Sequence, residues 1–162
     1  MPSFDLVSKI DSGELKNVIM MTQKEFSSRF DFKGTDTKVE LTETTIELDS
    51  SDEEKLKTAL SILREKMAKR NMGMRSIDPE DPRPSGNMRF KQTLKIRNGI
   101  DKENAKKITK IIKDSGMKVQ AQIMDDKVRI QAKQIDDLQA VYGMLKQNSE
   151  IKCELQMENM KR

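Results

Sequence analysis

One arrangement of apolar residues runs through this chain twice, and that repetition limits the folds open to it more than any short motif does. Residues 1–10 read as a strand. Asp11 and Glu14 then stand at capping-box spacing, ahead of Leu15, Val18, Ile19, Thr22 and Phe26 at helical intervals. Residues 38–42 and 45–49 alternate, with Val39, Leu41, Ile46 and Leu48 on the apolar side. Ser51 and Glu54 repeat the capping spacing before a helix whose stripe is Leu56, Ala59, Leu60, Leu63 and Met67. Across 72–88 the pattern lapses. Pro79, Pro82, Pro84 and Gly86 mark an irregular linker, with room for a short edge strand near 73–78.

After the linker the order returns. Residues 89–97 alternate, Asp101 caps a helix carrying Ala105, Ile108, Ile111 and Ile112, and Gly116 sits where such a helix stops. Strands over 118–124 and 127–133 flank an Asp125-Asp126 turn. A helix with Ile135, Leu138, Val141 and Leu145 follows, then a last strand over 152–157 with Cys153, Leu155 and Met157 inward. Each half reads β-α-β-β-α-β, so the expected fold is α+β: two ferredoxin-like sandwiches from a duplication, each with two helices on one face of an antiparallel sheet. The other face of each sheet is left open.

The alternation also states what the open faces carry. On the second-half strands Lys118, Gln120 and Gln122 stand beside Lys127, Arg129, Gln131 and Lys133, a plane without a carboxylate of its own. The equivalent first-half strands show Lys38, Glu40, Thr42, Thr45, Glu47 and Asp49, an acidic plane. Residues 1–88 hold 14 basic and 17 acidic side chains while 89–162 hold 17 and 10, so a polyanion should prefer the second half. A strictly sequential fold would add Arg89, Lys91, Lys95 and Arg97 to the cationic plane, and like charges across strands repel. Exchanging the first strands of the halves relieves this: the basic strand meets Glu47 and Asp49, and Asp5 enters among the cations. The expected domains are therefore 11–98 and, for the basic sheet, 1–10 with 99–162.

Other residue types narrow the chemistry. With no His and one Cys, a His-based triad, a His-ligated metal site, an internal disulfide and a thiolate zinc cage are all ruled out. No apolar run reaches the length of a membrane span and no signal-type segment opens the chain, so a cytoplasmic protein is expected. No nucleophile–base constellation stands out, hence no enzyme, cofactor or metal is expected. Lys102, Lys106, Lys107, Lys110 and Lys113 read as a solvated helix face, and Asp52-Glu53-Glu54 and Asp125-Asp126 as a helix start and a turn. Cys153 reads as buried. Phe30 and Phe32 could line a ligand-facing loop with Arg29 and Lys33, but scarce aromatics are more valuable as core plugs.

Several blocks carry a family resemblance. Met1-Pro2-Ser3-Phe4-Asp5-Leu6-Val7-Ser8, Ser28-Arg29-Phe30-Asp31-Phe32-Lys33-Gly34, Lys113-Asp114-Ser115 with Lys118-Val119-Gln120-Ala121-Gln122-Ile123, and Asp136-Asp137-Leu138-Gln139-Ala140-Val141 occur in the order found in the bacterial YajQ family. The resemblance spans nearly the whole chain. It implies tandem ferredoxin-like domains with exchanged N-terminal strands, and nucleotide binding. The partners it implies are a nucleotide or an RNA, tRNA among them, or a cyclic dinucleotide. The residues add one restriction: the central strands of the basic plane bear no aromatic side chain, unlike RNA-recognition sheets that stack bases. Binding should therefore be led by phosphates, with Lys118, Gln120, Gln122, Lys127, Arg129, Gln131 and Lys133 as contacts. The alternative is a regulatory module that holds a protein partner, gated by a cyclic dinucleotide.

Overall fold

The computed structural model describes residues 1–162. In chain order its elements are β1 (Ser3–Val7), α1 (Ser12–Ser28), a 3-10 turn over Phe30–Phe32, β2 (Lys38–Leu41), β3 (Thr45–Ser50) and α2 (Glu53–Lys69). A second 3-10 turn over Met74–Ser76, β4 (Ile77–Pro79), β5 (Arg83–Pro84) and β6 (Phe90–Ile96) follow. The chain closes with α3 (Lys102–Ser115), β7 (Val119–Met124), β8 (Lys127–Ala132), α4 (Ile135–Gln147) and β9 (Gln156–Lys161). Four helices and two antiparallel sheets make a mixed α+β protein, divided into a unit of Ile10–Ile96 and a unit of Met1–Lys9 with Arg97–Arg162.

In the Ile10–Ile96 unit the sheet order is β2-β3-β6-β4, and β5 also pairs with β6. Leu15, Val18 and Phe26 of α1 and Leu56, Ala59, Leu63 and Met67 of α2 are buried on Val39, Ile46, Leu48 and Leu94. The Asp11 carboxylate accepts from the Gly13 and Glu14 amides and starts α1. Helix α2 corrects the expected cap. Asp52, not Ser51, accepts from the Lys55 amide at 2.8 Å, since three residues separate a cap from the amide it satisfies and the helix begins one residue later. The buried stripe of α2 also takes Ile62 and Lys66 in place of Leu60, which is half-buried. The segment 72–88 is not a linker. Ile77–Pro79 and Arg83–Pro84 pair with β6 at the sheet edge, where proline costs no ladder hydrogen bond.

In the other unit the order is β7-β8-β1-β9. Phe4 and Leu6 of β1 lie opposite Ile130 and Val128, and all four are buried beneath α3 and α4. Asp101 caps α3 through the Asn104 amide at 2.8 Å, and Gly116 ends it at φ 70°, a left-handed conformation that suits glycine. The last strand begins later than alternation suggests. Ile151, Cys153 and Leu155 are buried, yet pairing with β1 starts only at Val7↔Gln156, because β1 is five residues long and gives the earlier segment no ladder partner. The Gln156 amide extends the junction by two bonds to the Lys9 backbone.

Candidate functional site

The open face of the β7-β8-β1-β9 sheet follows from its register. Gln120 stands opposite Gln131 and Gln122 opposite Arg129 across β7–β8, while Ser3 faces Gln131 and Asp5 faces Arg129 across β1–β8. Directly opposed residues share a face, so Gln120, Gln122, Lys127, Arg129 and Gln131 form one plane with Ser3 and Asp5. Lys127 and Arg129 are not free cations, however. Asp5 is 1% exposed and takes Arg129 Nε at 2.9 Å, Lys127 Nζ at 3.4 Å and Asn159 Nδ2 at 3.1 Å. The Arg129 hydrogen bond dominates and, against the opposing effect of burial, holds the Asp5 carboxyl at about 2, below its usual 3.8. The same bond pushes the Arg129 guanidinium further towards its charged form.

Lys118 and Lys133 stand apart from that cluster. Both are exposed and lie one residue outside β7 and β8. They line a pocket of about 730 Å³ together with Met1, Val119, Gln120, Gln134 and Asp137. The seven predicted contacts thus fall into three groups: Lys118, Gln120 and Lys133 at the pocket, Gln122 and Gln131 on the plane, and Lys127 and Arg129 tied to Asp5. Strand placement also evens out the charge. The unit with the cationic plane holds 15 basic and 11 acidic side chains and the other 16 and 16, a milder contrast than the two halves of the sequence show.

A second concave region lies at the end of α1. Phe32 is 4% exposed and packs edge-on against Phe26 at 5.3 Å between centroids, as a core plug should. Phe30 does the opposite: it is 88% exposed, which corrects its assignment to the core. The reason is local: at three residues per turn, residues two apart on a 3-10 turn point about 120° from one another, so the two rings do not share one buried face. The turn is held by ion pairs. Arg29 reaches Asp31 at 2.9 Å and Glu25 at 3.4 Å and lies over the Phe32 ring, and Lys66 reaches Glu25 at 2.7 Å. Lys66 accordingly lowers the Glu25 pKa and is itself raised by Glu25, while Arg29 lowers that of Asp31. Phe30 borders a pocket of about 540 Å³ whose polar lining includes Gln23, Arg29, Lys33 and Asp36.

The sheet face of the Ile10–Ile96 unit is balanced rather than acidic. Register places Asp49 opposite Lys91 and Thr45 opposite Lys95. Arg89 reaches Asp49 at 2.8 Å and donates to the Thr35 and Asp36 carbonyls, and Thr93 donates to Glu47 at 2.7 Å. Each first-half carboxylate read as open therefore has a basic or hydroxyl neighbour, except Glu40, which faces Glu47.

A family model described as "Nucleotide-binding protein YajQ-like" matches residues 2–161. The chain belongs to this family. Similar proteins are named for nucleotide binding as well. A "Nucleotide-binding protein" of Mycobacterium sp. (strain MCS) is 47% identical over 111 residues, covering 68% of each chain. Proteins of the same printed name from Mycolicibacterium gilvum (strain PYR-GCK) and Mycobacterium bovis (strain BCG / Pasteur 1173P2) are 45% and 43% identical over the same share. The family match takes in both sheets, the Phe30 turn and the Lys118–Lys133 pocket. No helix is long and apolar enough to cross a membrane.

Proposed function

We propose that this chain is a non-catalytic nucleotide- and RNA-binding protein that seats phosphates between Lys118 and Lys133, where β7 and β8 end. The observation that carries this reading is the pocket of about 730 Å³ bordered by two lysines, neither of which is in an ion pair. Its size falls within the range of roughly 300–1,000 Å³ typical of small-ligand sites. Gln120 in the pocket, with Gln122 and Gln131 on the plane beside it, offers donors and acceptors to a sugar or a base edge. Lys127 and Arg129, tied to Asp5, extend the polar plane while adding about one net charge between them. The family description supports a nucleotide as ligand.

The test is titration of labelled ATP, GTP, a cyclic dinucleotide and a short RNA at two salt concentrations, with Lys118→Glu/Lys133→Glu as the variant. Loss of binding by at least about tenfold is expected, and unchanged affinity for all four ligands refutes the site. A steep salt dependence identifies a polymer and a shallow one a small ligand.

The exposure of Phe30 favours a second reading, in which a base stacks on that ring while Lys33 meets its phosphate. The Phe30 pocket supplies the flat aromatic surface that the basic plane lacks. A cyclic dinucleotide held there would fit the regulatory alternative, and Phe30→Ala would then abolish that ligand's binding while Lys118→Glu/Lys133→Glu would not. We further read the two units as copies of one β-α-β-β-α-β module whose first strands have traded places. The pairing of β1 with β8 and β9, and of β6 with β3, supports that history.

A further inference from the structure

Each sheet has two edges, and four of the five strands that form them carry features that discourage pairing with another chain. Strand β2 bears Lys38 and Glu40, β4 ends in Pro79, β5 is Arg83–Pro84, and β9 carries Glu158 and Lys161 with a register shift and Asn159 at φ 54°. Strand β7 has none of these. It reads Val-Gln-Ala-Gln-Ile-Met, without charge, proline or glycine, and its Ile123 is 44% exposed.

The direction of its free backbone groups follows from the ladder. The Ala132 amide donates to the Pro2 carbonyl at 3.1 Å, towards the β1 side, so Val128, Ile130 and Ala132 bond towards β1 while Lys127, Arg129 and Gln131 bond towards β7. Their partners Met124, Gln122 and Gln120 therefore use their backbone groups on β8. Those of Val119, Ala121 and Ile123 point outwards, and the Val119 amide accordingly turns back to the Met117 carbonyl at 2.9 Å.

We infer that β7 pairs antiparallel with β7 of a second copy of this chain about a two-fold axis through Ala121. In that register Ala121 opposes its own mate and Val119 opposes Ile123 of the second copy, so all the outward backbone groups face one another. Side-chain faces match as well: Gln120 lies beside Gln122 of the second copy, and exposed Ile123 is covered by Val119 of the second copy. No like charges are opposed. Lys118 comes to lie opposite Met124 of the second copy, and the symmetry repeats this at the other end. Two-fold pairing of one edge closes on itself, which an open filament does not. The two open faces then join on one side of an eight-stranded sheet, with a Lys118–Lys133 pocket on each half.

Sedimentation of the full chain, without ligand, tests this. A reversible dimer is expected for the native sequence. Gln120→Lys/Gln122→Lys opposes lysines at both seams and should weaken dimerisation at least about tenfold with an unchanged circular dichroism spectrum. Gln120→Lys/Gln122→Glu opposes lysine to glutamate and should restore it. Hydrogen exchange provides a readout that needs no variant: the Ala121 and Ile123 amides should gain protection as concentration rises. A chain still monomeric at about 100 µM, a dimer indifferent to Gln120→Lys/Gln122→Lys, unprotected Ala121 and Ile123 amides, or species larger than a dimer would each overturn the inference.

Discussion

Replacing Asp5 by Asn removes one charge from a buried position while keeping its shape, and two independent consequences follow. The folded carboxyl titrates at about 2 against 3.8 for the unfolded chain, and at 1.36 kcal/mol per unit that gap is worth about 2 kcal/mol. Because the folded value is the lower one, the stabilisation is complete well above pH 4 and disappears as pH falls through about 2. Urea unfolding should therefore place Asp5→Asn about 2 kcal/mol below the native chain at pH 7, with the two converging near pH 2. The second consequence concerns binding. Arg129 and Lys127 lose the carboxylate that compensates them, so an RNA reaching this plane should bind more tightly and with a salt slope steeper by about one. Equal stability at pH 7, or a gap that persists at pH 2, would refute the ion-pair explanation. A stability loss with no change in RNA affinity would show that ligand does not reach Arg129.

The two phenylalanines of the 3-10 turn should separate cleanly: Phe32→Ala should cost about 3–5 kcal/mol in chemical unfolding, and Phe30→Ala within about 0.5 kcal/mol. Asp101→Ala should lower stability by about 1 kcal/mol through loss of the α3 cap, read from the same urea curves. Gly116→Ala forces a side chain into the left-handed region and should cost about 1 kcal/mol, visible as a lowered thermal midpoint.

Period alone locates most of this fold. Leu15, Val18 and Phe26 on α1, or Val128, Ile130 and Ala132 on β8, are buried because helical and strand spacings admit one inward face each. Charge goes a step further: the repulsion expected among Arg89, Lys91 and Lys95 on a cationic plane calls for a carboxylate-bearing neighbour, and Asp49 does face Lys91. Finer features depend on contacts that spacing does not encode. Ser51 and Asp52 are both competent caps, and which one serves depends on where the backbone turns. Pro79 and Pro84 read as breakers because a proline cannot sit in a central strand, yet an edge position removes that objection. In the site, alternation places Lys127 and Arg129 on the open face, but their compensation by Asp5 depends on a register between residues more than 120 positions apart. Alternation also names Lys118 and Lys133, but the pocket that joins them to Met1, Gln134 and Asp137 draws on residues outside both strands, which alternation does not bring together. The exposure of Phe30 depends on the 3-10 turn and on Phe32 filling the place beside Phe26, neither of which the two-residue spacing encodes.

The most direct measurement is a nitrogen–proton correlation spectrum of the full chain during titration with a mononucleotide. Shifts concentrated at Lys118, Gln120, Lys133 and Gln134 are expected, with smaller ones at Gln122 and Gln131. Shifts confined to residues 28–34, or none at saturating ligand, would contradict the proposal that phosphates settle where β7 and β8 end.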